Sequence, residues 1–378
     1  MEIKVLKKSI LFLFMVSFCL FACKGANTGG GVQNSPDVDT SFLGKVNAKH
    51  KDLVTVISRP TTIVGADLPY KTGVVTWYFD GAFVKGRTVE LNPYQIGKYE
   101  VSYELWCEVM TWALENGYEF FFQGGGGSES PDNSNNHFIP PTDENKWQPV
   151  VWVTWRTAIV WCNAYSEMVG LRPVYYKDVE KKEPIRTTAP CDPNDPEAAK
   201  YAVLPNDEKG YVDAPYVDWK ASGFRLPTET EWEMAGRGGD PNAKEWGWKY
   251  PTCNDENELK EYAWTESNSE GKTHNVGEKK PNKLGLYDMS GNAYEHCFDW
   301  FKGEVVQNAL VELPWYGPET RPEDEVDHPN KSARVSRGCS FRDSTSAYGH
   351  TLGHRLKWLP SRGDKSMGLR VARTLTTK

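Results

Sequence analysis

The stretch Gly223-Phe-Arg-Leu-Pro-Thr-Glu-Thr-Glu-Trp232 constrains this chain more than any other, because it writes out a helix start. Thr228 and Glu231 have the spacing of a capping box, in which the cap hydroxyl accepts from the N3 backbone and the N3 carboxylate reaches back. Pro227 fixes the entering chain, and Trp232 and Ala235 face inward on the helix that follows. This motif builds a core and performs no chemistry.

Two further helices follow from the same reasoning. Ile96-Gly-Lys-Tyr-Glu-Val101 leads to Ser102, a good N-cap, and the next helix aligns Leu105, Trp106, Val109, Met110 and Ala113 until Gly117 stops it. After Thr154, Ala158, Ile159, Cys162, Tyr165 and Val169 share one side of a helix that Gly170 ends. Residues 74–79 and 88–91 have the β-branched and aromatic content of strands. Residues 176–222 are polar, with Pro and Asp clusters, and read as surface loops.

The N-terminus is a targeting segment. Lys4, Lys7 and Lys8 precede an apolar run from Ile10 to Phe21. The run falls short of the roughly 20 residues a bilayer requires, so a signal peptide over 1–22 is expected. Leu20-Phe21-Ala22-Cys23 has the form of a bacterial lipobox, which makes Cys23 the expected lipidation site. The competing reading is a plain secretory signal. Lipid would tether the chain at the outer membrane or cell surface, each buried CH2 contributing about 0.8 kcal/mol. Residues 23–50, rich in Gly and poor in apolar side chains, form a flexible tether. One loop-rich domain over 51–378 is expected beyond it.

The net charge of −7 is spread out and no basic stripe alternates with aromatics, which argues against nucleic acid as a partner. Fifteen Trp and 18 Tyr allow a loop-rich chain to bury a large core. Export permits disulfides among Cys107, Cys162, Cys191, Cys253, Cys297 and Cys339, with the pairing open. Cys162, on an apolar stripe, is expected as a buried thiol, and Cys107, off its stripe, is the better disulfide candidate.

The 223–232 motif and Gly285-Leu-Tyr-Asp-Met-Ser-Gly-Asn-Ala-Tyr-Glu295 together resemble the formylglycine-generating-enzyme (sulfatase-modifying factor) family. Pro149-Val-Val-Trp-Val-Thr-Trp155, Gly170-Leu-Arg-Pro-Val-Tyr175, Val335-Ser-Arg-Gly-Cys-Ser-Phe341 and Gly368-Leu-Arg-Val-Ala-Arg373 extend the resemblance over most of residues 70–378. It implies an α+β, C-type-lectin-like fold: loop-rich, with two packed helices and short antiparallel sheets. It also implies a structural calcium site, with the Asp288 and Glu295 side chains and the Gly291 and Ala293 carbonyls as ligands. The structural alternative is that Asp288 caps a turn while Glu295 pairs with an arginine. A second family calcium site would fall near 265–273, where no ligands can be mapped.

The family's chemistry is missing. Its enzymes oxidise a substrate cysteine to formylglycine with oxygen, using two thiolates that bind copper(I). By position those cysteines fall at or near Asp343 and Tyr348, and no cysteine occurs from Ser340 onward. Cys339, at a family glycine position, is one thiol where two are needed, so no copper is expected. His350 and His354 sit in a Gly-containing, aperiodic stretch and are expected to be exposed surface histidines.

Residues 342–359 lie between the two last anchors and have a paratope-like mixture of Tyr, Trp and Arg with Ser, Gly and Asp. In this the chain resembles the variable proteins of diversity-generating retroelements, the treponemal lipoprotein group especially. That resemblance implies a surface-displayed binder with a variable segment at about 337–370. The residues expected to contact ligand are Arg342, Asp343, Ser344, Tyr348, His350, Leu352, His354, Leu356, Trp358 and Leu359. The ligand would be a protein or glycan of unknown identity. The alternatives are a maturation oxidase with catalysis placed elsewhere and a plain structural or adhesion lipoprotein.

Overall fold

The computed structural model describes residues 52–66, 81–121, 123–127, 139–188, 212–301, 310–311, 333–345 and 349–375. The signal segment 1–22, Cys23, the tether 23–50, the strand expected over 74–79, Cys191 and Tyr348 lie outside the described residues. All described residues belong to one unit, Val38–Lys378.

In chain order the elements are β1 (Leu53–Ile57), β2 (Thr61–Val64), β3 (Thr88–Leu91), β4 (Tyr94–Gly97), α1 (Tyr103–Glu115), β5 (Gly125–Gly126), β6 (Val150–Val151) and α2 (Trp155–Met168). There follow β7 (Tyr175–Tyr176), β8 (Tyr216–Val217), α3 (Glu229–Gly236), β9 (Tyr294–Trp300), β10 (Leu310–Val311), β11 (Arg334–Arg337), β12 (Leu356–Trp358), β13 (Met367–Gly368) and β14 (Ala372–Thr374). The fold is α+β and loop-rich, as expected. Among the described residues, three of the five sheets are antiparallel as expected and two are mixed. β10 runs parallel to β3 and β13 parallel to β9, because both partners arrive by long connections and not by hairpins.

All three helix starts are capped as the sequence specifies. Ser102 accepts from Leu105, Thr154 from Thr157, and Thr228 from Glu231, with the reciprocal Glu231 bond present. Glu231 also holds the buried Arg225 through both carboxylate oxygens, at 2.6 and 2.7 Å. The capping box therefore sits inside a second, ionic lock.

Helices α1 and α2 pack through stacked Trp106 and Trp161, ring centroids 5.2 Å apart. Each fully buried aromatic of this kind contributes roughly 1.5–3 kcal/mol. The expected inward residues of α1 are all buried. Helix α2 is buried on all sides from Trp155 to Ser166, not along one stripe, because strands and loops cover its second face. Cys107 corrects the disulfide expectation: it is a free thiol in the aromatic core with Cys162, and Cys253, Cys297 and Cys339 are free and buried elsewhere. Burial pushes the Cys107 thiol up to about 12.

Strands β12, β11, β9 and β13 form a four-stranded sheet in that order. It brings the C-terminal segment against the Gly285–Glu295 motif and against α3.

Candidate functional site

The segment after β11 is clamped from below by a buried ionic network. Arg337 bonds Glu229 at 2.8 Å and Glu233 at 2.7 Å, both on α3, and donates to the Leu352 carbonyl. Arg355 adds a second hold on Glu229, with Nη2 to Oε2 at 2.8 Å. Glu233 also accepts from Arg237 and from the Ala82 backbone. Despite their burial, the arginines hold Glu229 and Glu233 below the usual carboxylate range.

The structure separates the nine described residues of the ten expected contacts into groups. Arg342 is exposed and reaches Asp364 at 3.4 Å. Ser344, His354, Leu356, Trp358 and Leu359 are half-buried. Asp343 is turned inward, accepting from the Ser340 backbone at 2.9 Å, the Ser340 hydroxyl at 2.6 Å and the Tyr294 hydroxyl at 3.0 Å. Its first role is to fold its own loop.

Two of the ten are core residues. Leu352 is fully buried against α3, where Gly236 makes room: a Cβ there would come within 2.9 Å of the leucine. His350 is also buried, and its Nε2 lies 2.9 Å from the Asp343 carbonyl. The expectation of two exposed histidines is corrected, because this loop folds down onto Ser290 and Asp343 instead of looping out. His354 turns its Nδ1 to the Cys339 thiol at 3.2 Å. Burial, with Arg337 nearby, brings the His354 imidazole down to about 4.

Cys339 itself is the surprise of the site. It has φ +59°, a conformation natural to the glycine of the family pattern and strained for cysteine. Its sulfur lies 3.6 Å from the Tyr294 hydroxyl and under Gly349. Burial, with Asp343 nearby, pushes the thiol well above its ordinary range. Thiol and imidazole are therefore both neutral at pH 7. Sequence spacing gives no sign of this Tyr294–Cys339–His354 cluster.

The family's copper chemistry does not fit these residues. Two thiolates are required. Asp343, at or near one position the resemblance implies, is already bonded by Tyr294 and Ser340, and no cysteine occurs from Ser340 onward.

The residues expected to hold calcium are engaged in other contacts. Glu295 is fully buried, with both oxygens bonded to Arg370 at 2.6–3.0 Å and Oε2 accepting from the Trp232 indole at 2.6 Å. A guanidinium already neutralises the carboxylate that a cation would need. Asp288 accepts from the Gly277 backbone at 2.7 Å, and its other oxygen has no partner. Gly291 and Ala293 are buried in the turn between them, where Gly291 is required: a Cβ would fall 2.1 Å from the Trp264 carbonyl. Among the described residues no three metal-type side chains converge. The four-ligand set does not fit calcium in this geometry. The observed pairing is the structural alternative that the sequence left open.

Residues 69–375 match the family model described as the sulfatase-modifying factor enzyme 1-like domain, and the chain belongs to that family. It is 31% identical over 225 residues to the chaperone protein LppX of Paenibacillus barcinonensis, covering 57% of this chain and 65% of that one. It is 32% identical over 139 residues to the formylglycine-generating enzyme of Thermomonospora curvata, covering 33% and 40%. The chain thus spans less than two thirds of the length of these relatives. Among solved structures, Treponema denticola variable protein 1 is 31% identical with a TM-score of 0.54, over 84% of this chain and 94% of that one. A structure of CarF, 21% identical with a TM-score of 0.56 over 86% and 98%, shares the fold.

Proposed function

We propose that this chain is a surface-displayed lipoprotein that binds variable ligands through a diversified C-terminal segment, and that it is not an enzyme. One observation carries the reading. The segment is locked to the scaffold at Leu352 and Arg355, while Arg342, Leu356, Trp358 and Leu359 around them stay open or half-open. Such an arrangement tolerates changed side chains on a fixed backbone. The similarity to a protein named as variable supports it. That no cysteine occurs from Ser340 onward supports the non-enzymatic reading over the family's oxidation.

The partner is a protein or a glycan, and the membrane is reached through lipid on Cys23. A Cys-x-Pro-x-Arg peptide incubated with the protein, copper and oxygen should come back unconverted; formylglycine in the product would overturn the reading. Cys23→Ser should move the protein to the soluble fraction, and retention in the membrane fraction would remove the anchor.

A further inference from the structure

Trp152 lies outside the segment expected to vary, yet its backbone is bound to that segment's far end. Its N–H donates to the Asp364 carbonyl at 2.8 Å. Its own carbonyl is so close to Gly363 that a Cβ there would meet it at 2.5 Å. Trp152 has φ +59°, which for so bulky a residue costs about 1–3 kcal/mol. It is half-buried, with its indole nitrogen shielded and without a hydrogen-bond partner.

The turn that Trp152 supports carries Arg362, whose guanidinium lies 5.1 Å from the Trp358 ring centre. Trp358 in turn donates from its indole N–H to the Arg362 carbonyl at 2.8 Å. Leu356, on the same side of β12, packs with Trp358 over Tyr294, Cys339 and Met367. Arg342 joins the patch through Asp364.

Charge then selects the partner. Arg342 pairs with Asp364, and Arg362 and Lys365 flank that carboxylate in the sequence of the turn, on a chain of net charge −7. Asp364 is itself committed to Ser366. Arg362 and Lys365 form no ion pair among the described residues, and Arg342 keeps 48% of its side chain in solvent. A cationic rim around tryptophan and leucine is the composition of a protein-binding hot spot, with charge steering the encounter and the apolar centre supplying affinity.

We infer that Leu356, Trp358, Arg342, Arg362 and Lys365, on and beside the turn that the Trp152 backbone supports, form a docking surface for an acidic peptide segment carrying an apolar anchor. The inference rests on the ligand-binding role proposed above and narrows it to one partner chemistry. Leu356 beside the indole favours a peptide, whose side chains can cover it, over a polysaccharide.

The test is selection of a random 12-residue peptide library on the intact protein, with Arg362→Glu and Trp358→Phe as variants. Arg362 is exposed, so its charge reversal leaves the fold intact. Recovered peptides should be net negative, with one large apolar residue. They should bind the Arg362→Glu protein about tenfold or more weakly. They should also lose affinity as salt rises, while Trp358→Phe retains the preference for acidic sequence. Neutral or basic peptides, or binding unchanged in Arg362→Glu, would overturn the inference. Complete displacement by heparin at low occupancy would reassign the surface to anionic polysaccharide and overturn it as well. The outcome is separable from the question of diversification. A variable gene end together with neutral peptides removes only the acidic partner, and acidic peptides with an invariant gene end remove only the diversification.

Discussion

Arg355, in the middle of the segment proposed to vary, grips Glu229 at the first turn of α3 through two nitrogens, and both side chains are buried. A buried pair of this kind is costly to break from one side, because the remaining charge has no water to turn to. Arg355→Ala should therefore lower unfolding stability by about 3–5 kcal/mol, read as a shifted urea midpoint. A loss within experimental error would mean that the segment is not anchored through this residue.

Leu352 extends the argument to apolar packing. Leu352→Ala should cost about 2–5 kcal/mol, whereas Lys357→Ala, on an exposed neighbour, should stay within about 0.5 kcal/mol. Equal effects at the two positions would contradict the division of the segment into anchor and display residues.

Much of the fold is legible in the sequence because its signals are local. Caps, apolar stripes and turn glycines depend on residues a few positions apart, and Ser102, Thr154 and Thr228 act as their spacing says. The site is less legible because its contacts are long-range. Arg370 meets Glu295, and Arg337 meets Glu229, across long stretches of chain that no periodicity connects. The burial of Leu352 and His350 depends on the turn that brings them onto α3 and Ser290. Composition alone assigned them to the surface.

The Glu295–Arg370 pair leads to a direct expectation about calcium. Excess chelator followed by calcium should leave the melting midpoint where it was, since the guanidinium already satisfies Glu295. A midpoint that rises with calcium would show that Arg370 gives up this carboxylate. Arg370→Met should destabilise by about 3–5 kcal/mol through the unpaired Glu295.

His354 supplies a pH dependence. Its folded value of about 4 lies below the ordinary 6.5, so between these the unfolded chain takes up a proton that the folded chain refuses. Its contribution is complete above pH 6.5 and is lost as pH falls toward 4. The groups acting on it are Arg337, Asp343 and His350, with the Cys339 thiol at its Nδ1. The stability advantage of the wild type over His354→Asn should shrink by of the order of 1 kcal/mol per pH unit between pH 6 and 5. A constant gap would place the imidazole in solvent.

The most direct test of diversification is the DNA beside the gene. The account predicts a near-copy of the codons for residues 335–373, differing from the gene only where the copy carries adenine, with a reverse-transcriptase gene nearby. Its variable codons should include those for Arg342, Leu356, Trp358 and Leu359, and the Arg355 codon should be identical in both. The absence of any such copy would contradict a diversified binding site and leave an invariant scaffold in its place.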